Sequence, residues 1–365
     1  MRTLLTLLFC FLILGAKAQI RLTDQTDNQP VAFAHLLTDD GKLAATSDIN
    51  GIVDTTHLSQ TLLMGNHHIS IQQIAYETLE LSSAELRNST ILKLQRRIIL
   101  LPEVTVGKAS KEIQYLVLKG YFRGYHLEDG TPKYYTDGIG EYYIEPNGKG
   151  VKFRMLEYRT FRNETQIAKT KKRTVMVVVG LACTPYFRSG KVFTDRLGND
   201  YAMSPTNSGA DILKKTSKVG FARTNTSSGC IQANVDVLAP KKEKDFKLFN
   251  YTCRIVGSEQ TEVYRTTDLN QLTFDNLESF TQSRRVMFKH KTDPAETDNT
   301  GINEFYVYEA SLVPKSTLKG IKFSGYGLRH SHSYTHNYWE ELPKHHIPPL
   351  SRNIEEALGK SLIIY

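Results

Sequence analysis

The stretch that decides the fold class runs from residue 114 to residue 145 and reads QYLVLKGYFRGYHLEDGTPKYYTDGIGEYYIE. Residues 114–127 and 133–145 are rich in aromatic and branched side chains, a composition typical of strands. The five residues between them, EDGTP, are a turn signal. A second turn signal, PNGKG, leads into another β-rich run at residues 151–161. This order predicts a meander of three long antiparallel strands.

Short β-rich runs and turn signals also alternate between this meander and the N terminus. The turns include DDGK at residues 39–42 and DING at residues 48–51, and they separate about seven short runs, the number expected of a Greek-key β-sandwich. The predicted fold class is mainly β: an N-terminal Greek-key β-sandwich at residues 19–107, then a larger β-rich domain at residues 108–365. The second domain is predicted to be a curved antiparallel sheet with a few helices. We expect helices at residues 269–283 and 351–358.

Several segments of the first 106 residues resemble a carboxypeptidase-regulatory-like domain. They are PVAFAHL at residues 30–36, the Asp48-x-x-Gly51 turn, ISI at residues 69–71, Tyr76 and LPEVTV at residues 101–106. The resemblance implies a transthyretin-like β-sandwich of the kind found at the N terminus of Bacteroidota outer-membrane proteins, where it is an accessory module without catalysis. Residues 115–161 are similar to regions that follow this sandwich in secreted Bacteroidota proteins of unknown function.

Residues 1–18 are predicted to be a secretory signal peptide. Arg2 supplies its charge, an apolar run follows, and Ala16-Lys17-Ala18 is a small-x-small cleavage site. No later apolar stretch is long enough for a transmembrane helix, so none is expected in the mature chain. We therefore expect an exported protein that is periplasmic or associated with the outer membrane.

The charge of the mature chain is unevenly distributed. The full chain of 365 residues carries a net charge of +8. Residues 19–107 hold 6 Lys/Arg against 10 Asp/Glu, whereas residues 108–365 hold 38 against 28. Basic clusters that could contact phosphate groups of a membrane surface or an acidic partner occur at Lys169, Lys171, Lys172, Arg173, Lys214, Lys215, Arg284 and Arg285. No nucleic-acid partner is expected, because the sequence contains no recognisable nucleic-acid-binding module.

Histidines near the C terminus are the best candidates for a metal site. On a strand, His330, His332 and His336 would face the same way, and three imidazoles can hold zinc. His345 and His346, with Glu340 or Glu341, could complete such a site. The His-x-x-Glu pair of a zinc carboxypeptidase is absent from the sequence.

Trp339 is the only tryptophan and lies shortly before the paired prolines Pro348 and Pro349, which indicates an anchor for the C-terminal segment or a residue of a binding site. The cysteines that follow the signal, Cys183, Cys230 and Cys253, are predicted to be small core residues.

The sequence thus predicts a non-catalytic binding or scaffold protein of the cell envelope, whose partner is another envelope protein or a membrane surface. Two alternatives stay open. One is a zinc-dependent hydrolase that uses the histidine cluster, and the other is a small outer-membrane β-barrel.

Overall fold

A computed structural model describes residues 19–55, 58, 65–98, 104–105, 112–170, 184–226, 228–248 and 250–365. The predicted signal peptide and the basic residues Lys171, Lys172 and Arg173 lie outside these ranges. No helix among the described residues is long and apolar enough to cross a lipid bilayer.

The N-terminal part is a sandwich of two small sheets. One sheet has the strand order β4-β1-β7 and the other the order β3-β2-β5-β6. Side chains between the sheets, such as Leu22, Leu36 and Ile71, are fully buried. The strands are β1 (Gln19–Asp24), β2 (His35–Thr38), β3 (Lys42–Thr46), β4 (Ile52–Asp54), β5 (His68–Gln72), β6 (Leu79–Ser82) and β7 (Ile91–Leu94).

A short helix, α1 (Ser83–Asn88), separates β6 from β7. It begins with a capping box in which the Ser82 hydroxyl accepts from the Glu85 amide and the Glu85 carboxylate accepts from the Ser82 amide. This helix interrupts the sandwich pattern that the sequence predicted.

All later strands among the described residues belong to one thirteen-stranded sheet. Its main order is β12-β13-β14-β15-β17-β18-β19-β9-β10-β11-β20, with β16 paired to β17 and β8 paired to β19. The strands are β8 (Val104–Thr105), β9 (Gln114–Glu128), β10 (Thr131–Ile144), β11 (Val151–Arg162), β12 (Tyr201–Thr206), β13 (Gly209–Lys214), β14 (Ser217–Asn225), β15 (Cys230–Asp236), β16 (Lys244–Leu248), β17 (Tyr251–Tyr264), β18 (Leu277–His290), β19 (Thr297–Pro314) and β20 (Ile363–Ile364).

The predicted meander is confirmed as β9, β10 and β11, which pair antiparallel in chain order. The fold class is confirmed as well: the chain is mainly β, with a sandwich followed by a larger antiparallel sheet. Within the described residues, three short helices accompany this sheet: α2 (Glu164–Thr170), α3 (Phe193–Leu197) and α4 (Arg352–Ala357).

One of the two helix predictions is confirmed and the other is wrong. Helix α4 begins after Ser351, whose hydroxyl accepts from the Ile354 amide, as the sequence predicted. Residues 269–283, by contrast, form two 3-10 turns and the first half of strand β18. Their conformation is fixed by pairing with β17 and β19 on either side, which local spacing cannot reveal.

The large sheet buries a different set of side chains on each face. Tyr121 and Tyr306 pack with sandwich residues such as Leu22, and we call this side the sandwich face. Phe122 and Phe305, their neighbours along the strands, belong to a separate cluster on the opposite side, which we call the aromatic face. The alternation follows from the two-residue period of a strand.

The sandwich and the sheet share one hydrophobic cluster, which also includes Tyr338, Leu342 and Ile347 from the C-terminal segment. The Tyr125 hydroxyl donates to the Gly41 carbonyl, and the Leu43 amide donates to the Gly130 carbonyl at 2.9 Å. The division into domains at residues 107 and 108 stays a prediction. The shared cluster shows that the two parts bury apolar surface against each other.

Candidate functional site

The C-terminal segment, residues 338–358, lies on the sandwich face and contributes most of the wall of the main cavity. This cavity has a volume of about 570 Å³. Its apolar wall consists of Trp339, Leu342, Ile347, Pro348, Pro349, Leu350 and Leu358. Volumes of this size are typical of small-molecule sites, which are also mostly apolar.

Tyr121 and Arg159 from the large sheet also line the main cavity. The Arg159 guanidinium donates from Nε to Asp137 Oδ1 at 2.9 Å and from Nη2 to Asp137 Oδ2 at 2.6 Å. It also lies over the Trp339 ring, 3.7 Å from the ring centroid. This pair of interactions fixes the orientation of the tryptophan in the wall.

Asp137 is fully buried and accepts hydrogen bonds from three tyrosines as well. Tyr338 donates at 2.7 Å, Tyr121 at 3.0 Å and Tyr135 at 3.3 Å. Burial, followed by the charge of Asp137, raises the pKa of Tyr338, so its hydroxyl stays protonated and continues to donate. The network therefore holds a buried carboxylate fully satisfied beside the cavity.

Arg97 connects three parts of the molecule at the edge of the cavity. Its Nη2 donates to both oxygens of Glu278 on β18, at 2.9 and 3.1 Å. Its Nη1 donates to the His346 carbonyl at 3.3 Å, and its Nε donates to the Ile74 carbonyl in the sandwich at 3.1 Å. Every side of this guanidinium is thus occupied by protein groups.

Arg123 holds the proline part of the wall in a similar way. It forms an ion pair with Glu304 and donates to the Tyr306 hydroxyl at 2.7 Å. Its Nη1 also contacts the Pro348 and Pro349 carbonyls, each at 3.4 Å. Buried carbonyls need donors, and the prolines have no amide of their own to pair with a neighbouring strand. Arg123 thus supplies a donor to the backbone of the two prolines in the wall.

A second cavity of about 420 Å³ lies nearby on the same face of the sheet. It is lined by charged residues of both signs, including Lys119, Glu157 and His336. His345 stacks on Tyr308 with 4.1 Å between the ring centroids, and burial lowers the pKa of this histidine. The two cavities therefore share the C-terminal segment but differ in polarity.

The three histidines that were predicted to hold a metal contact two different residues, Tyr365 and Glu157. His332 Nδ1 lies 2.9 Å from the Tyr365 carbonyl, whereas His336 Nδ1 lies 3.2 Å from Glu157. His330 packs against Tyr365, at 5.2 Å between ring centroids. Residues 330–336 do not form a regular strand, so the assumption that one strand face presents all three imidazoles is wrong.

Within the described residues, no group of three His, Cys, Asp or Glu side chains is arranged to hold a metal ion. The zinc site stays a prediction from the sequence. Of the cysteines, Cys230 and Cys253 are free and buried, as expected of core residues, and Cys183 lies outside the described residues. Burial raises the pKa of the Cys230 thiol, which disfavours the reactive thiolate.

Trp339, predicted as an anchor or a binding residue, lines the main cavity. Sequence reasoning missed Arg97, Arg123 and Arg159, the arginines that position the wall. The available signal was weak: Arg123 and Arg159 each stand inside a β-rich run, where a charged side chain must be exposed or paired.

No protein-family model matches this chain, and no curated protein is significantly similar to it.

Proposed function

We propose that this protein is a non-catalytic binding or scaffold protein of a bacterial cell envelope, and that the main cavity holds a compact apolar ligand against Trp339. The observation that carries the proposal is an apolar wall beside two arginines that already have carboxylate partners; the exposed Glu77 and Glu355 are the carboxylates at the rim of the site. Arg159 is paired with Asp137, and Arg97 with Glu278.

The paired charges decide what kind of ligand the cavity favours. A charged ligand would have to compete with bidentate ion pairs that are mostly removed from water, whereas an apolar ligand gains from every contact with the wall. Burying apolar surface yields about 25 cal/mol per Å². The cavity therefore favours apolar ligands of small-molecule size over polar substrates.

The same proposal includes two further points: the protein is exported from the cytoplasm, and its sandwich is a carboxypeptidase-regulatory-like domain. The signal-like N terminus supports a periplasmic or outer-membrane-associated location, where an envelope protein or a membrane surface would be the partner. The resemblance to a carboxypeptidase-regulatory-like domain includes the segment at residues 48–51, which forms a tight turn. Asp48 Oδ1 accepts from the Asn50 and Ile52 amides at 2.8 Å, and Gly51 has a φ of +72°.

The test uses Trp339 as a built-in reporter, because it is the only tryptophan in the chain. The protein is titrated with the neutral apolar dye N-phenyl-1-naphthylamine, and energy transfer from the tryptophan to the dye is measured. Saturable transfer is expected, because a dye bound in the cavity lies beside the indole. A titration without saturable transfer contradicts the proposal.

Two matched variants locate the binding. Leu350→Arg places a charge in the wall and is expected to weaken dye binding by at least about tenfold, because a charge in an apolar site costs several kcal/mol unless it reaches water. Ile113→Arg is the control, since Ile113 is 57% exposed and does not line the cavity. Equal effects of the two variants would show that the dye binds elsewhere. Melting curves of both variants confirm that they fold.

A further inference from the structure

A small polar pocket, which we call the arginine pocket, lies on the aromatic face at the opposite side of the sheet from the main cavity. Its floor is formed by directly opposed residues of β17 and β18. Farther along the same two strands, this face carries apolar side chains such as Tyr264 and Leu277. The pairs in the floor are Glu262 with Phe280, Gln260 with Gln282, and Ser258 with Arg284.

Arg196, on helix α3, reaches this pocket from above the floor and is only 3% exposed. Its Nη2 donates to the Glu262 carboxylate and to the Tyr264 hydroxyl. Burial opposes the charged form of Arg196, but Glu262 and Tyr264 outweigh it and raise the pKa, so the guanidinium stays charged.

The guanidinium lies over the Phe274 ring, 4.2 Å from the ring centroid, but two of its nitrogens have no hydrogen-bond partner in the described part of the chain. Neither Nε nor Nη1 of Arg196 has an acceptor among the described residues. A buried N–H without a partner is costly, and the cost is greater on a charged group. An acceptor supplied from outside the protein would remove that cost.

Two further arginines, Arg188 and Arg284, line the same pocket and are exposed to solvent. Neither forms an ion pair with a carboxylate within the described part of the chain. Burial, followed by the charge of Arg188, lowers the pKa of Arg284, and both arginines line the same pocket. Three arginines face one carboxylate, Glu262, so the pocket has an excess of two positive charges.

We propose that the arginine pocket binds a phosphate or sulfate group, either as the free ion or as the terminal monoester of a larger molecule. Guanidinium groups match the spacing of oxyanion oxygens, and the Ser258 hydroxyl and the Gln282 amide add neutral donors. The cavity volume of about 30 Å³ has room for about two water-sized groups. It therefore accepts two oxygens of a tetrahedral anion while the remainder stays at the open side.

This inference does not depend on the proposed function of the main cavity, because the two sites lie on opposite faces of the sheet. The test measures binding of inorganic phosphate, sulfate and glycerol phosphate to the full protein by isothermal titration calorimetry at low ionic strength. Saturable binding of the free ions assigns the site to an inorganic anion. Binding of glycerol phosphate alone assigns it to a monoester.

Adjacent arginines on β18 provide a matched pair of variants. Arg284→Gln removes a charge from the pocket, whereas Arg285→Gln removes a charge from the neighbouring position, where Arg285 is paired with Asp298 at 2.7 Å. We expect Arg284→Gln to weaken binding by about tenfold or more, and Arg285→Gln by no more than about twofold.

Either of two results overturns the proposal. The first is an equal loss of affinity in both variants, which would mean that the anion responds only to net charge. The second is the absence of saturable binding by any of the three probes at about 10 mM. Both arginines are exposed, so neither variant removes packing from the core.

Discussion

The main cavity and the arginine pocket both depend on arginines, but the two sites use them in opposite ways. Around the main cavity, Arg97 and Arg159 are paired with carboxylates and hold the wall in place. In the arginine pocket, Arg196 keeps two donors without acceptors, and Arg188 and Arg284 bring further positive charge to the mouth. An arginine whose donors are occupied is part of the scaffold, whereas an arginine that keeps unused donors beside its carboxylate, as Arg196 does beside Glu262, is available to a ligand.

The largest expected effect on the free energy of unfolding comes from removing the carboxylate charge that pairs with Arg159 beside the main cavity. Asp137→Asn keeps the shape of the side chain but takes away the charge that balances Arg159, and it replaces one of the two oxygens that accept from the tyrosine hydroxyls by an NH2 group, which donates. Breaking a buried ion pair on one side costs about 3–5 kcal/mol. We expect a loss of that size in the free energy of unfolding, measured by urea denaturation.

Asp298→Asn is the matched control for this prediction. Asp298 pairs with the exposed Arg285, and a surface pair contributes about 0–1 kcal/mol. A loss below about 1 kcal/mol for Asp137→Asn as well would mean that the paired network does not hold the cavity wall.

Some parts of this comparison could be predicted from the sequence. Turn signals such as DDGK, EDGTP and PNGKG indicated the sandwich and the meander, because turn chemistry is local. Trp339 was also identified, since a lone tryptophan near paired prolines is unusual. These features depend on neighbours in the chain.

The arginine network could not be predicted, because its partners are distant in the sequence. Arg97 and Glu278 are separated by 181 residues, and so are Arg123 and Glu304. The first half of strand β18, residues 277–283, was predicted to be a helix for the same reason, since its conformation depends on two pairing partners. Only one feature of the arginine pocket could be predicted. The sequence identified Arg284 and Arg285 as a basic pair, but it did not give the strand register that places the two side chains on opposite faces of the sheet.

Glu259 can be compared with Asp137, because it is a half-buried carboxyl without an arginine as its main partner. It neighbours Ser258 on β17, and its carboxylate accepts a hydrogen bond from Ser283. Burial raises the pKa of Glu259 to about 7, and the nearby Asp236 adds to the effect despite Arg285. Asp137, by contrast, has its charge balanced by Arg159.

This shift has a defined effect on stability. The folded pKa lies above the unfolded value of 4.5, so the folded protein holds the proton more tightly. The resulting stability is fully present below pH 4.5 and is lost as the pH rises to about 7. Because Glu259 is partly exposed, we expect the loss to be about 1–2 kcal/mol.

Glu259→Gln tests this effect, because glutamine keeps the shape and cannot titrate. At pH 8, above the folded pKa of about 7, the variant is expected to be more stable than the wild type by about 1–2 kcal/mol, whereas at low pH the two should be similar. The measurement is the difference between their unfolding free energies across this range. A constant difference would contradict the assigned burial of Glu259.

The smallest effect is expected at the histidine cluster, where the zinc prediction can be tested directly. The His332 ring is exposed and contacts a backbone carbonyl, so His332→Ala should change the free energy of unfolding by less than about 1 kcal/mol. The control is His336→Ala, because His336 instead pairs with Glu157.

If the histidines act separately, the effects of the two substitutions on the free energy of unfolding should add, as they do for residues without a shared partner. A shared metal would make the two effects strongly non-additive, and the purified protein would contain one zinc per chain that either substitution releases. Metal analysis of the two variants, beside the double variant, therefore separates a set of independent surface histidines from a zinc centre.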